Sequence, residues 1–127
     1  MDTMHPNLSL LQRLDIKNPD ACRDVIAEEF VWHYFNPQLP ELEGSHRGVD
    51  GLKAFLAKLH QRSSSSFEVR VVDARPAGDE LVVTQVCNRM ELDGKAMEFD
   101  AVVVWRIVNS KIAEGWDIPA VNTVRFV

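Results

Sequence analysis

Phe99-Asp-Ala-Val-Val-Val-Trp-Arg-Ile-Val108, the polar pair Asn109-Ser110 and Lys111-Ile-Ala-Glu-Gly-Trp-Asp-Ile118 decide the fold class of this chain. The pattern predicts two antiparallel strands joined by a short turn, closing a curled sheet. Phe99, Ala101, Val103, Trp105 and Ile107 form one face of the first strand, and Val102, Val104 and Val108 part of the other. A one-sided antiparallel sheet alternates apolar with polar, so a strand apolar on both faces needs cover on both. The inner set is expected to face helices. The outer set is expected to meet a second copy of the chain, making a homodimer through the outer sheet face, with the tail Val121 to Val127 as the alternative cover. The closing strand carries Asp117 on the face of Ala113 and Gly115, opposite Ile112, Glu114 and Trp116. A carboxyl group in an apolar cavity has its ionised form disfavoured, which is one way to make a general acid or base that works near neutral pH.

Upstream, period two continues in Phe67-Glu-Val-Arg-Val-Val72 and from Leu81 to Leu92, with Ala77-Gly78-Asp79 as one turn and Asp93-Gly94 as a hairpin turn. The N-terminal half reads differently. Leu8, Leu11 and Leu14 recur at helical spacing, and Asn18-Pro19 supplies a cap and first-turn proline for a second helix with Cys22, Val25, Ile26 and Phe30 as its apolar stripe. Val31 to Phe35 reads as a short strand, Asn36 to Gly44 as a loop, and Val49 to His60 as an amphipathic helix with Leu52, Phe55, Leu56 and Leu59 facing inward. Three helices in the first half and an antiparallel meander in the second make an α+β fold, with helices on one face of the sheet.

The chain has 127 residues, which fits a single domain over 1–127. A net charge of −5 disfavours nucleic-acid backbones and anionic membranes as partners. No apolar run is long enough to span a bilayer, and Met1-Asp-Thr-Met-His-Pro6 lacks the features of a signal peptide, so a cytoplasmic protein is expected. Cys22 and Cys87 have neither CxxC nor Cys-His ligand spacing and are expected to be buried free thiols.

Phe30-Val-Trp-His33 before a Pro-containing loop, Arg47-Gly-Val-Asp-Gly-Leu-Lys-Ala-Phe55, Val104-Trp-Arg-Ile107 and Lys111-Ile-Ala-Glu-Gly-Trp-Asp117 together resemble the SnoaL-like proteins of the NTF2-like superfamily. The resemblance spans nearly the whole chain and implies a cone in which a curved sheet wraps helices around an apolar cavity. Members include polyketide cyclases, ketosteroid isomerases, epoxide hydrolases, dehydratases and binding-only domains, so the fold alone does not select an activity. By this resemblance Asp117 matches the acid/base aspartate of SnoaL-type cyclases and His33 a histidine of the first strand, both aimed into the cavity. Isomerase-like members use a tyrosine of the first helix and an aspartate on the penultimate strand. Here the single tyrosine is Tyr34 and Val103 stands at about that strand position, a departure that argues against steroid isomerisation. The Asp-Arg-Asp set of limonene epoxide hydrolase-like members lacks its second carboxylate, although Arg89 or Arg106 could supply the guanidinium.

Asp117 as base with His33 as partner would move a proton alpha to a carbonyl without a cofactor. The expected substrate is a small, largely apolar carbonyl compound, and the expected lining is Phe35, Phe55, Leu59, Val103, Trp105 and Gly115. The competing expectation is a non-catalytic dimeric domain that binds an apolar ligand, with Asp117 and His33 as structural groups. Trp32 and Trp116 are expected to be core. His5, His46 and His60 form no metal-ligand spacing, the glycines form no phosphate loop, and Ser63 to Ser66 is expected to be a solvated linker.

Overall fold

Hydrophobic periodicity is realised most directly in the C-terminal half. The computed structural model describes residues 4–127, so residues 1–3 of the stretch read above for a leader lie outside it. Three strands follow one another there: β4 (Leu81–Leu92), β5 (Lys95–Val108) and β6 (Lys111–Phe126). Asp93 and Gly94 join β4 to β5 at φ of 52° and 80°, and Asn109 and Ser110 join β5 to β6 at 52° and 59°. Two consecutive residues in the left-handed region match the twist of the flanking strands, which is why Asn, Asp and Gly dominate such turns. Before them come β1 (Ile26–Tyr34), β2 (Gly44–Arg47) and β3 (Glu68–Ala77). Among the described residues the six strands form one sheet in the order β2-β1-β6-β5-β4-β3, with only the β1–β6 pair parallel.

Helices cover the inner face. α1 (Pro6–Leu11) starts on a proline and is capped by His5, whose Nδ1 accepts from the Asn7 N–H. The Asn7 side chain donates to the Asp79 carbonyl and ties α1 to the turn before β4. α2 (Gly48–Arg62) buries Val49, Leu52, Phe55, Leu56 and Leu59 against the sheet, the stripe that its spacing predicts. Beyond its C-cap Ser63 the chain turns away through Ser64 and Ser65, both left-handed. Of the serine run, Ser64 and Ser65 are exposed as expected of a solvated linker, but Ser63 and Ser66 are not free. Ser63 is fully buried with its hydroxyl donating to the Leu59 carbonyl, and Ser66 Oγ accepts from the Glu91 N–H, fastening the helix end to β4.

Two local readings are corrected. The second helix does not run to Phe30. A 3-10 segment (Pro19–Val25) breaks at Cys22, and the chain is extended from Ile26, because Phe30, Trp32 and Tyr34 on one side of the strand are all buried in the core. In β6, Ile112 pairs with Ile107 while Glu114 pairs with Arg106, so the extra residue Ala113 makes a bulge. The bulge turns Ile112 into the core, where it is fully buried, instead of onto the outer face with Glu114 and Trp116. Cys22 and Cys87 are buried and unpaired, and among the described residues no helix is long and apolar enough to cross a membrane.

The inner face of β5 is buried throughout, from Phe99 to Ile107. Beside it, Gly115 is a position of close approach. A Cβ there would lie 2.9 Å from Trp32 Cε3 and Cζ3 and 3.1 Å from Trp105 Cε3. Gly115→Ala is therefore expected to overpack two buried indoles and destabilise the protein by about 1–3 kcal/mol, read as a lowered urea midpoint with an unchanged slope.

Candidate functional site

Strand register puts the inner-face side chains in rows. Thr84, Val103, Asp117 and Tyr34 align across β4, β5, β6 and β1, and Val82, Trp105, Gly115 and Trp32 form the neighbouring row. Above these rows the sheet, α2 and the N-terminal segment enclose a cavity of about 160 Å³. Phe55, Leu56 and Leu59 of α2 form its roof, Leu11, Leu14 and Ile16 close it on the N-terminal side, and Phe67, Val69 and Val71 line the β3 edge. Val71 is 59 % exposed, which marks that edge as the mouth. The aromatic wall is mutually packed, with Trp32 and Trp105 centroids 5.4 Å apart and Tyr34 edge-on to Phe55 at 4.9 Å.

Asp117 lies on this apolar surface with 9 % exposure, and its Oδ1 is buried without a hydrogen-bond partner in the protein. Burial alone, with no cation to offset it, lifts its pKa from 3.8 to about 7. Beside it, Tyr34 accepts a hydrogen bond at its hydroxyl from Asn36 Nδ2 at 3.0 Å, and Asn36 Oδ1 in turn accepts from the Gln38 N–H. The phenol proton is thereby left to point elsewhere. Burial, reinforced by the nearby Asp117, pushes the Tyr34 pKa upward and keeps the phenol protonated. Thr84 is fully engaged, donating to the Val103 carbonyl at 2.8 Å and accepting from Trp105 Nε1 at 3.3 Å. Two further lining groups, Trp32 Nε1 and Asn88 Oδ1, are buried and unpartnered.

The SnoaL-like domain family matches residues 9–115. The chain belongs to that family. Solved structures share the fold across almost the full length. Bal32a, from a soil-derived mobile gene cassette, matches with a TM-score of 0.78 at 16 % identity, over 91 % of this chain and 89 % of its own. TerC, co-crystallised with polyporic acid, matches at 0.76 and 19 %, over 92 % and 93 %. A protein of Jannaschia sp. CCS1 named for SnoaL-like polyketide cyclases matches at 0.75 and 16 %, over 96 % and 92 %. No curated protein matches significantly. The fold is that of the NTF2-like proteins, as another similar structure, from Burkholderia pseudomallei K96243, is described.

Of the residues singled out from sequence, this SnoaL-like chain brings Asp117, Phe55, Leu59, Val103 and Trp105 to one cavity. It does not bring His33 or Phe35 there. Trp32 and Tyr34 take the inward positions of β1, so His33 points to the outer face. There its ring stacks on Trp116 at 5.5 Å, Nε2 meets Glu114 Oε2 at 2.6 Å and Nδ1 meets Ser45 Oγ at 2.9 Å. This is a latch that joins β2 to β1 and β6. Phe35 is 50 % exposed beyond the end of β1. Gly115 leaves no room for a ligand, because the Trp32 and Trp105 rings occupy the space above it. His33→Ala should leave cavity chemistry within about threefold of wild type while lowering stability by about 1 kcal/mol, the scale of a lost hydrogen bond. A larger loss of activity would tie His33 to the site.

Sequence reasoning missed Tyr34 and Asn88; Trp32, read as core, is core and lines the cavity as well. For Asn88 a signal existed: Val82, Thr84, Val86, Asn88 and Met90 share the buried face of β4, and an amide in that series stands out. Among the described residues no three His, Cys, Asp or Glu side chains gather as metal ligands.

Proposed function

We propose that this chain is a cofactor-independent acid/base enzyme of the cyclase, isomerase or dehydratase type, acting on a small, largely apolar carbonyl compound. One observation carries the reading: the unpaired carboxyl of Asp117, lifted to about 7 by burial, in an apolar cavity. As carboxylate it removes a proton alpha to the carbonyl; the C–H bond breaks, an O–H bond forms on Asp117, and the electron pair moves onto the carbonyl oxygen. The Tyr34 hydroxyl, freed by Asn36, and Trp32 Nε1 are donors for the resulting enolate. Asp117 then returns the proton at the same or another carbon. Tyr34 thus takes the part expected of His33. The kinship in fold with proteins named as polyketide cyclases is consistent with this chemistry.

The test is exchange of the C1 protons of 2-tetralone for deuterium, followed by NMR near neutral pH. Exchange well above the buffer rate, saturating with 2-tetralone, supports the reading. Saturable binding with exchange at the buffer rate would leave a binding domain without catalysis.

The proposal includes assembly as a homodimer. Val102 and Ile118, opposite one another on β5 and β6, leave apolar surface exposed on the outer face. Light scattering at low micromolar concentration should give twice 14.4 kDa, and a 14.4 kDa species alone would remove the dimer.

A further inference from the structure

Three buried polar atoms of the described residues have no partner in the protein, Asp117 Oδ1, Trp32 Nε1 and Asn88 Oδ1, and all three belong to residues that line the same cavity. Buried polar groups are nearly always satisfied, and an unsatisfied one costs about 1–3 kcal/mol. Three on one apolar surface therefore describe what the cavity is shaped to receive. They fall at two ends. Trp32 and Asp117 sit in adjacent rows, and Tyr34 aligns with Asp117. Asn88 pairs with Phe99 on β5, four residues along from Val103, which pairs with Asp117. At ~3.4 Å per residue and ~4.8 Å per strand, the Asp117 and Asn88 Cα atoms would be roughly 17 Å apart on a flat sheet, and less on a curved one. Val86 and Val103 provide apolar surface between the ends, and Thr84 has its hydroxyl occupied.

We infer that Asn88 is a second anchor and that the ligand is an elongated compound polar at both ends: a carbonyl at the Asp117, Tyr34 and Trp32 end, and a hydroxyl or other hydrogen-bond donor that meets Asn88 Oδ1. The size suits this class. A cavity of about 160 Å³ is on the scale that admits one aromatic ring, and the open β3 edge beside Val71 leaves a longer molecule room to extend. Asn88 is 3 % exposed and far along the sheet from the reacting end, so it fixes orientation and selects for the donor. Its Oδ1 has no partner in the protein, and its reason to be there is the ligand. The inference rests on the cavity function proposed above.

The probes are 2-tetralone and 6-hydroxy-2-tetralone, which place a carbonyl at one end and differ by one hydroxyl at the other. Calorimetry on wild type should show the hydroxylated compound binding about tenfold more tightly, the scale of one buried hydrogen bond. Asn88→Leu should bind both compounds equally, and its melting temperature should rise by a few degrees because an unsatisfied amide is replaced by an apolar side chain. Equal affinities in wild type, or a preference that survives in Asn88→Leu, would overturn the second anchor. Because equal affinities in wild type suffice to overturn it, the inference stays open to refutation even if the variant does not fold. If neither compound binds, the cavity function falls with the inference; if the preference is seen without deuterium exchange, the anchor stands and the acid/base reading falls.

Discussion

Asp117→Asn should be more heat-stable than wild type at about pH 8 by roughly 10–20 °C and nearly equal to it at about pH 4. The expectation follows from the direction of the shift. Burial raises the folded-state pKa of Asp117 to about 7 from 3.8. Between those values the unfolded chain has released the proton while the folded protein still holds it, so stability falls as pH rises through that interval and levels off above it. A shift of about three units corresponds to ~4 kcal/mol at 1.36 kcal/mol per unit, a large share of the stability of a domain this size. Asparagine fills nearly the same space and never ionises, so the variant escapes the penalty. Thermal melts of both proteins across this range test it directly. Curves that run parallel at all pH values would mean that the carboxyl is not held desolvated.

The second large effect is kinetic. With Asp117 as the base, deuterium exchange of 2-tetralone should rise about tenfold per pH unit below 7 and level above it, following the carboxylate fraction. Asp117→Asn should lower exchange by ~10²–10⁴-fold, the range a positioned proton-transfer group supplies, while binding of 2-tetralone persists. A rate that ignores Asp117→Asn would assign the base elsewhere. The two effects together describe a stability–activity trade-off, because the same desolvation that weakens the fold at neutral pH tunes the carboxyl for proton transfer.

How far the sequence spoke depended on what fixes the phase of each strand. In β4 to β6 the period-two pattern, the Asp93-Gly94 and Asn109-Ser110 turns and the apolar inner row of β5 leave one arrangement, and Asp117 falls inward as its alternation requires. In β1 both alternating sets are plausible insiders: Phe30, Trp32 and Tyr34 on one side, Val31, His33 and Phe35 on the other. Alternation groups residues but does not say which group is buried. The choice is made by pairing with β6, which places Tyr34 beside Asp117 and His33 beside Trp116. His33 and Phe35 therefore leave the cavity together, and Tyr34 and Trp32 enter it for the same reason. Gly115 illustrates a different limit, since whether a glycine opens space for a ligand or for neighbouring side chains depends on packing across three strands. The bulge at Ala113 has no local marker in Ile112-Ala-Glu114, yet it sets which side Ile112 takes.

The central claim is that Asp117 is a desolvated carboxyl poised near neutrality within the cavity, independent of His33. Its most direct test is a pH titration of the Asp117 side-chain carboxyl carbon by NMR in wild type, with Asp117→Asn for assignment and His33→Ala as a control. The account predicts a single step with a midpoint near 7 that His33→Ala leaves in place. A midpoint at or below 3.8 would show a solvated or paired carboxylate and contradict it.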